Sequence, residues 1–267
     1  MIQQYRSRLR RDFHSVKTVT LLVLCTFLGS FAGRTQSARI SDPNTIGWFT
    51  TTGTISLNKR WSLHAEYQWR RSEWVRSWQQ SLLRTGITYQ AAPYLSLRLG
   101  YAWVVTFPYG EYPLQAAGRT FPEHRFYQMA LLNQRAATVD VSHRFMLEQR
   151  LIGRFNTPAT ERPDRYLFSN RIRYLPRLQR SLKGPTLEDR EPYLAVYDEV
   201  FIAFGKNVNE NVFDQNRFGL LLGYRFRPGL RIEGGFFSQV LQLPREIDGR
   251  NVFQYNNGII LNTHWSF

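Results

Sequence analysis

Cysteine is almost missing. The 267 residues contain one, Cys25, and a lone thiol forms no disulfide within the chain. An exported product of this sequence must be held together some other way. Past the first 45 residues no long stretch carries an apolar stripe at spacings of three and four, so a helical fold is excluded. No His or Cys cluster has metal-ligand spacing. No glycine-rich loop has the phosphate-cradling pattern, and no Gly-x-Ser-x-Gly elbow marks a hydrolase. No cofactor and no metal is expected. Acid is scarce: 20 Asp and Glu face 35 Lys and Arg, for a net charge of +15. That excess is spread along the chain and not gathered into one patch, which argues against a nucleic-acid partner.

The first stretch stands apart. Arg6, Arg8, Arg10, Arg11 and Lys17 form a basic head. The run Val19 to Ala32, "VTLLVLCTFLGSFA", is apolar but too short to cross a bilayer comfortably as a helix. Ser30 and Ala32 put small residues where a signal peptidase reads. Residues 1–32 are therefore expected to be a secretory signal peptide, with an N-terminal membrane anchor as the alternative. Cleavage removes five cations, one acid and Cys25, leaving a net charge of about +11. Residues 33–46 read as a short N-terminal segment.

From there on the period is two. Trp61, Leu63, Ala65, Tyr67 and Trp69 alternate with Ser62, His64, Glu66, Gln68 and Arg70. Similar two-faced segments recur at 95–105, 139–150, 165–174, 219–226 and 253–267, although Leu221 breaks the pattern. A soluble β-sandwich also alternates. Yet these segments run about 10 to 14 residues, where soluble strands average about five or six. One face is rich in Arg with Glu, Gln and Asn, and the other carries aromatics near its ends. That pattern fits a closed antiparallel transmembrane β-barrel over residues 47–267, with an apolar outer band, aromatic girdles and a polar lumen. Short connections at 58–60, 90–94, 133–137 and 227–229 mostly alternate with longer ones at 106–120, 151–163 and 241–252. Strand starts can be placed near Gly47, Trp61, Gln79, Tyr94, Phe121, Val139, Arg165, Tyr193, Phe213, Leu230 and Phe253. Single-chain bacterial barrels have even strand numbers. Twelve strands are therefore expected, with ten as the alternative, and the missing one is sought before Gly47 or within 176–192.

Several segments carry a family likeness: "EHRFYQ" at 123–128, "HRFMLEQR" at 143–150, "NRIRYLPRL" at 170–178, "YDEVFIAFG" at 197–205 and "FDQNRFGLLLGYRF" at 213–226. Gly47-Trp48 and "SLHAEYQWR" at 62–70 fit as well. From about residue 47 onward the chain resembles an uncharacterised family of outer-membrane β-barrel proteins from Bacteroidetes-type bacteria (domain-of-unknown-function family 2490). The resemblance implies a fold and no activity. The last strand ends on Trp265 and Phe267, which look like the terminal aromatic signal that outer-membrane assembly machinery reads. The implied location is the bacterial outer membrane, reached by the general secretory route. The implied partners are outer-membrane lipid, lipopolysaccharide and the assembly machinery.

Lumen candidates follow from parity: Glu66, Arg98, Arg144, Glu148, Arg150, Arg171, Arg173, Arg217, Arg225, Arg231 and Glu233, with Arg70 and Arg84 beside them. Guanidinium groups stay charged and grip carboxylates in pairs. These residues suit a ladder of ion pairs that fills a narrow barrel, or contacts to an anion. His64 and His264 point inward and His143 outward. Asp198 and Glu199 are adjacent on a strand, so they face opposite sides and are no catalytic pair. The leading expectation is a non-enzymatic barrel, structural or ligand-contacting, with no catalytic residues. A small anion- or solute-conducting channel is the alternative. A lipid-modifying enzyme using His143 is the second, although no serine is placed against that histidine.

Overall fold

The structure, a computed structural model, describes residues 39–267. The expected signal peptide lies outside the described residues. Eleven strands follow in order: β1 (Ile40–Ser56), β2 (Trp61–Ser72), β3 (Ser77–Ala92), β4 (Leu95–Thr106), β5 (Phe121–Ala136), β6 (Val139–Arg154), β7 (Arg165–Ser181), β8 (Glu191–Phe204), β9 (Phe213–Arg227), β10 (Leu230–Ile247) and β11 (Arg250–Ser266). Among the described residues there is no helix. Each strand pairs with its sequence neighbours, and β1 pairs with β11 to close a barrel. Residues 40–46, read above as a segment ahead of the barrel, are part of β1.

The count of eleven corrects the expectation of twelve, and it changes the seam. In an up-and-down sheet with an odd number of strands, the first and last run the same way. Closure is therefore parallel, from Ile40 opposite Val252 to Thr54 opposite Ser266. The other ten pairings are antiparallel. The stretch 176–192 holds no extra strand: β7 continues to Ser181 and β8 starts at Glu191. The expected long loop at 241–252 is also corrected. It consists of strand ends joined by Asp248 (φ 51) and Gly249 (φ 67), the paired positive φ values of a two-residue hairpin turn. An Asp-Gly pair is a known signal for that turn, but the surrounding Pro and charge obscured it.

One end of the barrel carries the connections 57–60, 93–94, 137–138, 182–190 and 228–229, together with the C-terminus. The other carries 73–76, 107–120, 155–164, 205–212 and 248–249, together with the start of β1. They are called here the short-turn end and the long-loop end. Phe267 is tied into the seam: its amide donates to Thr54 O at 2.9 Å, and its carbonyl accepts from Ser56 N at 2.9 Å.

Alternation sorts the side chains. Outward positions hold Trp61, Leu63, Tyr67 and Trp69 on β2, Leu97, Leu99 and Trp103 on β4, and Leu220, Leu222 and Phe226 on β9, all exposed. Inward positions hold buried Arg70, Arg84, Arg125, Glu148, Arg171, Arg173, Glu199 and Glu233. An apolar cluster also sits inside, built from Ile46, Trp48, Tyr193, Ala195, Leu221, Phe237 and Ile260. It explains the break at Leu221, which packs within the lumen.

Three inward tyrosines lie over glycines directly across the strand pair: Tyr127 over Gly100, Tyr193 over Gly223 and Tyr197 over Gly219. A side chain at any of these glycines would run into the ring. Glycine thus lets the ring lie flat against the wall and the sheet bend tightly around it. We predict that Gly223→Val destabilises the barrel by at least about 2 kcal/mol in a denaturant titration, whereas a valine at exposed Leu222 costs less than about 1 kcal/mol.

Candidate functional site

The lumen charges form one connected lattice. Glu123 on β5 holds Arg125 at 2.7 Å and Arg150 at 2.5 Å. Asp214 takes Arg171 at 2.6 Å and stands 3.6 Å from Arg150. Arg171 also reaches Glu148 at 2.5 Å, and Glu148 reaches Arg173 at 2.7 Å. Glu199 then accepts from Arg173 at 2.7 Å and Arg144 at 2.8 Å, with Arg217 at 4.0 Å. Six guanidiniums thus share four carboxylates across β5 to β9. Two further groups stand apart: Glu66 with Arg84 at 2.7 Å, and Glu233 with Arg177 at 2.6 Å and His264 at 3.4 Å. Desolvating one ion costs several kcal/mol, so only this degree of pairing makes such a lumen tolerable.

Strand geometry places the partners. On β7, Arg171, Arg173 and Arg177 share the inward face. Opposite them on β6 stands Glu148, in register with Arg171. Asp214 is inward because of a register shift beside Phe201 and Ile202, which turns Asp214 and Gln215 to the same side.

At the waist the lattice meets aromatic rings. Arg70 lies 3.8 Å and Arg217 4.8 Å from the Trp48 ring centre. Arg173 and Arg217 each lie 4.5 Å from that of Phe201. Among the described residues Arg70 contacts no carboxylate; it donates to Gln68 and Gln80 instead. Ring faces attract cations, and more strongly where water is excluded.

Trp48, Arg70 and Arg217 line both of the cavities described here, so this waist stands between them. The cavity toward the long-loop end holds about 110 Å³. Residues 107–120 cover it. The backbone amides of Glu111 and Tyr112 donate to the Asp42 carboxylate at 3.4 and 3.3 Å, and Tyr109 donates its hydroxyl to Gln254 at 2.8 Å. Gln115 reaches the far side, donating to Gly153 O at 2.7 Å. Burial raises the Tyr109 phenol above its ordinary pKa, so it remains a neutral donor. The second cavity holds about 740 Å³. Its lining extends to Arg135 and Asp140, beside the 137–138 turn, whose side chains are 37% and 41% exposed. It opens at the short-turn end.

The sequence-derived candidates fall into place as follows. Glu66, Arg98, Arg144, Arg173, Arg217, Arg231 and Glu233 line the larger cavity, while Arg150, Arg171 and again Arg217 line the smaller. Glu148 is buried in the lattice between them. Arg225 joins neither cavity; it sits near the short-turn end, 2.8 Å from Asp189 and donating to Leu187 O. Sequence reasoning missed Glu123, Arg125 and Arg177. Parity along β5 and β7 would have found all three. It also missed Trp48, since an aromatic residue in a strand reads first as outward. Of the Asp198–Glu199 pair, Glu199 is in the lattice, and Asp198 faces outward, accepting from Asn216 at 2.6 Å. His143 is held by Tyr174 at 2.9 Å and Gln134 at 3.1 Å. Among the described residues no serine hydroxyl bonds to it.

A model of one protein family matches residues 45–249. The chain belongs to that family, described as Protein of unknown function (DUF2490). Neither the curated proteins nor the solved structures returned a match. Membership agrees with the resemblance seen in the sequence. It names no activity.

The lattice carries a stability prediction. Removing one partner of a buried, shared ion pair costs about 3–5 kcal/mol. Glu148→Gln should therefore lower the unfolding free energy of the refolded barrel by about 3 kcal/mol, whereas Arg98→Gln, which breaks no ion pair, should cost less than about 1 kcal/mol.

Proposed function

We propose that this protein is an integral outer-membrane β-barrel that contacts an anionic ligand in its lumen and does not conduct. The observation that carries the reading is the asymmetry of the lumen. One end is covered by residues 107–120, the waist is filled by Trp48 between two guanidiniums, and the other end opens into a basic cavity. An open pore would need a continuous wet path. A lumen that only stabilised the barrel would not need a roomy chamber with surplus charge.

Membrane residence is supported by the outer wall. Exposed Trp, Tyr, Phe, Leu and Ile recur from strand to strand, far beyond the few hundred Å² of apolar patch that a soluble monomer usually shows. Closure leaves no free sheet edge, as a hydrocarbon surrounding requires. The basic, apolar leader read from the sequence supplies the export route. By the usual orientation, the short-turn end and Phe267 face the periplasm and the long-loop end faces outward. Outer-membrane lipid and lipopolysaccharide then surround the wall, and Trp265 and Phe267, whose rings are 6.5 Å apart, serve the assembly machinery.

Three outcomes test this reading. The protein should fractionate with outer membrane and migrate faster on a gel unheated than boiled. In planar bilayers the refolded barrel should give no steady single-channel steps; regular anion-selective openings would favour the channel instead. In lipid vesicles Asp198→Asn, which keeps the bond to Asn216 and removes an outward charge, should raise the unfolding free energy by about 1 kcal/mol. An equal or lower value would place Asp198 in water.

A further inference from the structure

The larger cavity holds charge that its own wall does not neutralise. Nine arginines and four carboxylates line it. The imbalance concentrates where β2, β3, β4 and β6 contribute His64, Arg84, Arg98 and Arg144 around the single carboxylate of Glu66. Arg84 binds Glu66 through one Nη, and Arg144 gives one Nη to Glu199. The Nε atoms of both are left without a hydrogen-bond partner. Both ring nitrogens of His64 are unpartnered as well, although that residue is only 6% exposed and its Nε2 stands 3.6 Å from Glu66. Arg98 donates Nε to Thr88 at 2.8 Å, and among the described residues no carboxylate contacts it. Buried donors lacking acceptors are uncommon in folded proteins, and a cluster of them marks a place where an acceptor belongs.

Register shows what surrounds the cluster. Arg98 stands opposite Met129, and Arg144 stands between Leu131 on one side and Leu175 on the other. Two cationic heads therefore flank an apolar floor. Arg144 is 27% exposed at its side chain, so it meets the open space directly. Behind these two heads Arg84 adds charge and an unpartnered Nε, and His64 adds one ring N–H.

We propose that this corner binds the phosphoryl group of a small organic phosphate that enters from the short-turn end, with Arg98 and Arg144 gripping its oxygens. The proposal rests on the ligand-contacting reading above. A planar carboxylate can be satisfied by a single two-pronged guanidinium. Free donors approaching from separate strands suit a tetrahedral oxyanion, whose oxygens point in several directions. The volume of about 740 Å³ leaves room for more than a bare phosphate ion. Met129, Leu131 and Leu175 offer the rest of the molecule a greasy surface. That surface accommodates either a soluble phosphate monoester or the headgroup region of a phospholipid.

Calorimetric titration of the refolded full-length barrel in detergent separates these sources. Glycerol 3-phosphate and a short-chain phosphatidic acid are the two arms, with acetate as the control. At least one phosphate compound should bind at least about tenfold more tightly than acetate, and Arg98→Gln should weaken it by about tenfold or more. Arg231→Gln, which removes a cation elsewhere in the same chamber, should change affinity by less than about threefold. Tighter binding of the monoester assigns the site to a soluble phosphate; tighter binding of the phosphatidic acid assigns it to a lipid headgroup. Should Arg98→Gln fail to fold, Arg98→Lys keeps the charge and loses the two-pronged donor, so it tests the same contact. No binding of either compound to a heat-modifiable, non-conducting barrel overturns the site and leaves the closed-barrel reading standing. Unchanged affinity in the Arg98 variant also overturns it. Steady conductance of the same preparation would instead sink the reading underneath.

Discussion

Everything in this molecule depends on shared ion pairing inside a closed sheet. A barrel of eleven strands encloses a narrow space, and this sequence fills it with guanidinium groups. Arginine cannot shed its proton to escape burial. Each cation must find a carboxylate, an amide oxygen or a ring face. The lattice from Glu123 through Asp214, Glu148 and Glu199 supplies the first, with each carboxylate serving at least two arginines. Gln68, Gln80 and the rings of Trp48 and Phe201 supply the rest. Because the lattice ties β5 to β9 along the inner wall, it braces the sheet beside the apolar cluster around Trp48.

The same lattice divides the lumen into unlike halves. On the long-loop side of the waist Glu123 and Asp214 each serve two arginines, and residues 107–120 cover that end through Asp42 and Gln254. Below the waist matching fails at Arg98 and Arg231, and there the space widens. At the waist the shared pairs fill the lumen around Trp48, and beyond it Arg98 and Arg231 stand without a carboxylate among the described residues.

Much of the fold could be read in advance because period-two alternation is strong. Trp61, Leu63, Tyr67 and Trp69 face outward, and His64, Glu66 and Arg70 face inward, as their parity dictates. Ten of the expected starts, all but Gly47, lie within a few residues of the observed ones. What failed was the strand number, because a rule drawn from even-stranded barrels outweighed the segments themselves. Nothing in the β1 or β11 sequence announces a parallel seam, since parallel and antiparallel neighbours place side chains on the same alternating faces. The site was legible as a set of inward arginines but not as an arrangement. Some pairs skip a strand, as Arg144 on β6 and Glu199 on β8 do over β7, and alternation alone does not say which inward side chains meet that way. Asp214 needed a register shift, and Trp48 needed the interior to have an apolar patch of its own.

The central claim is that this sheet is inverted, with greasy residues outside and charge within. Fluorescence quenching by brominated lipid chains tests it directly. A variant that keeps Trp103 as its one tryptophan should be quenched strongly in vesicles, because that ring stands on the outer wall at 48% exposure. A variant that keeps Trp48 alone, 4% exposed between Arg70 and Arg217, should be spared. Strong quenching of Trp48, or none of Trp103, would contradict the inversion.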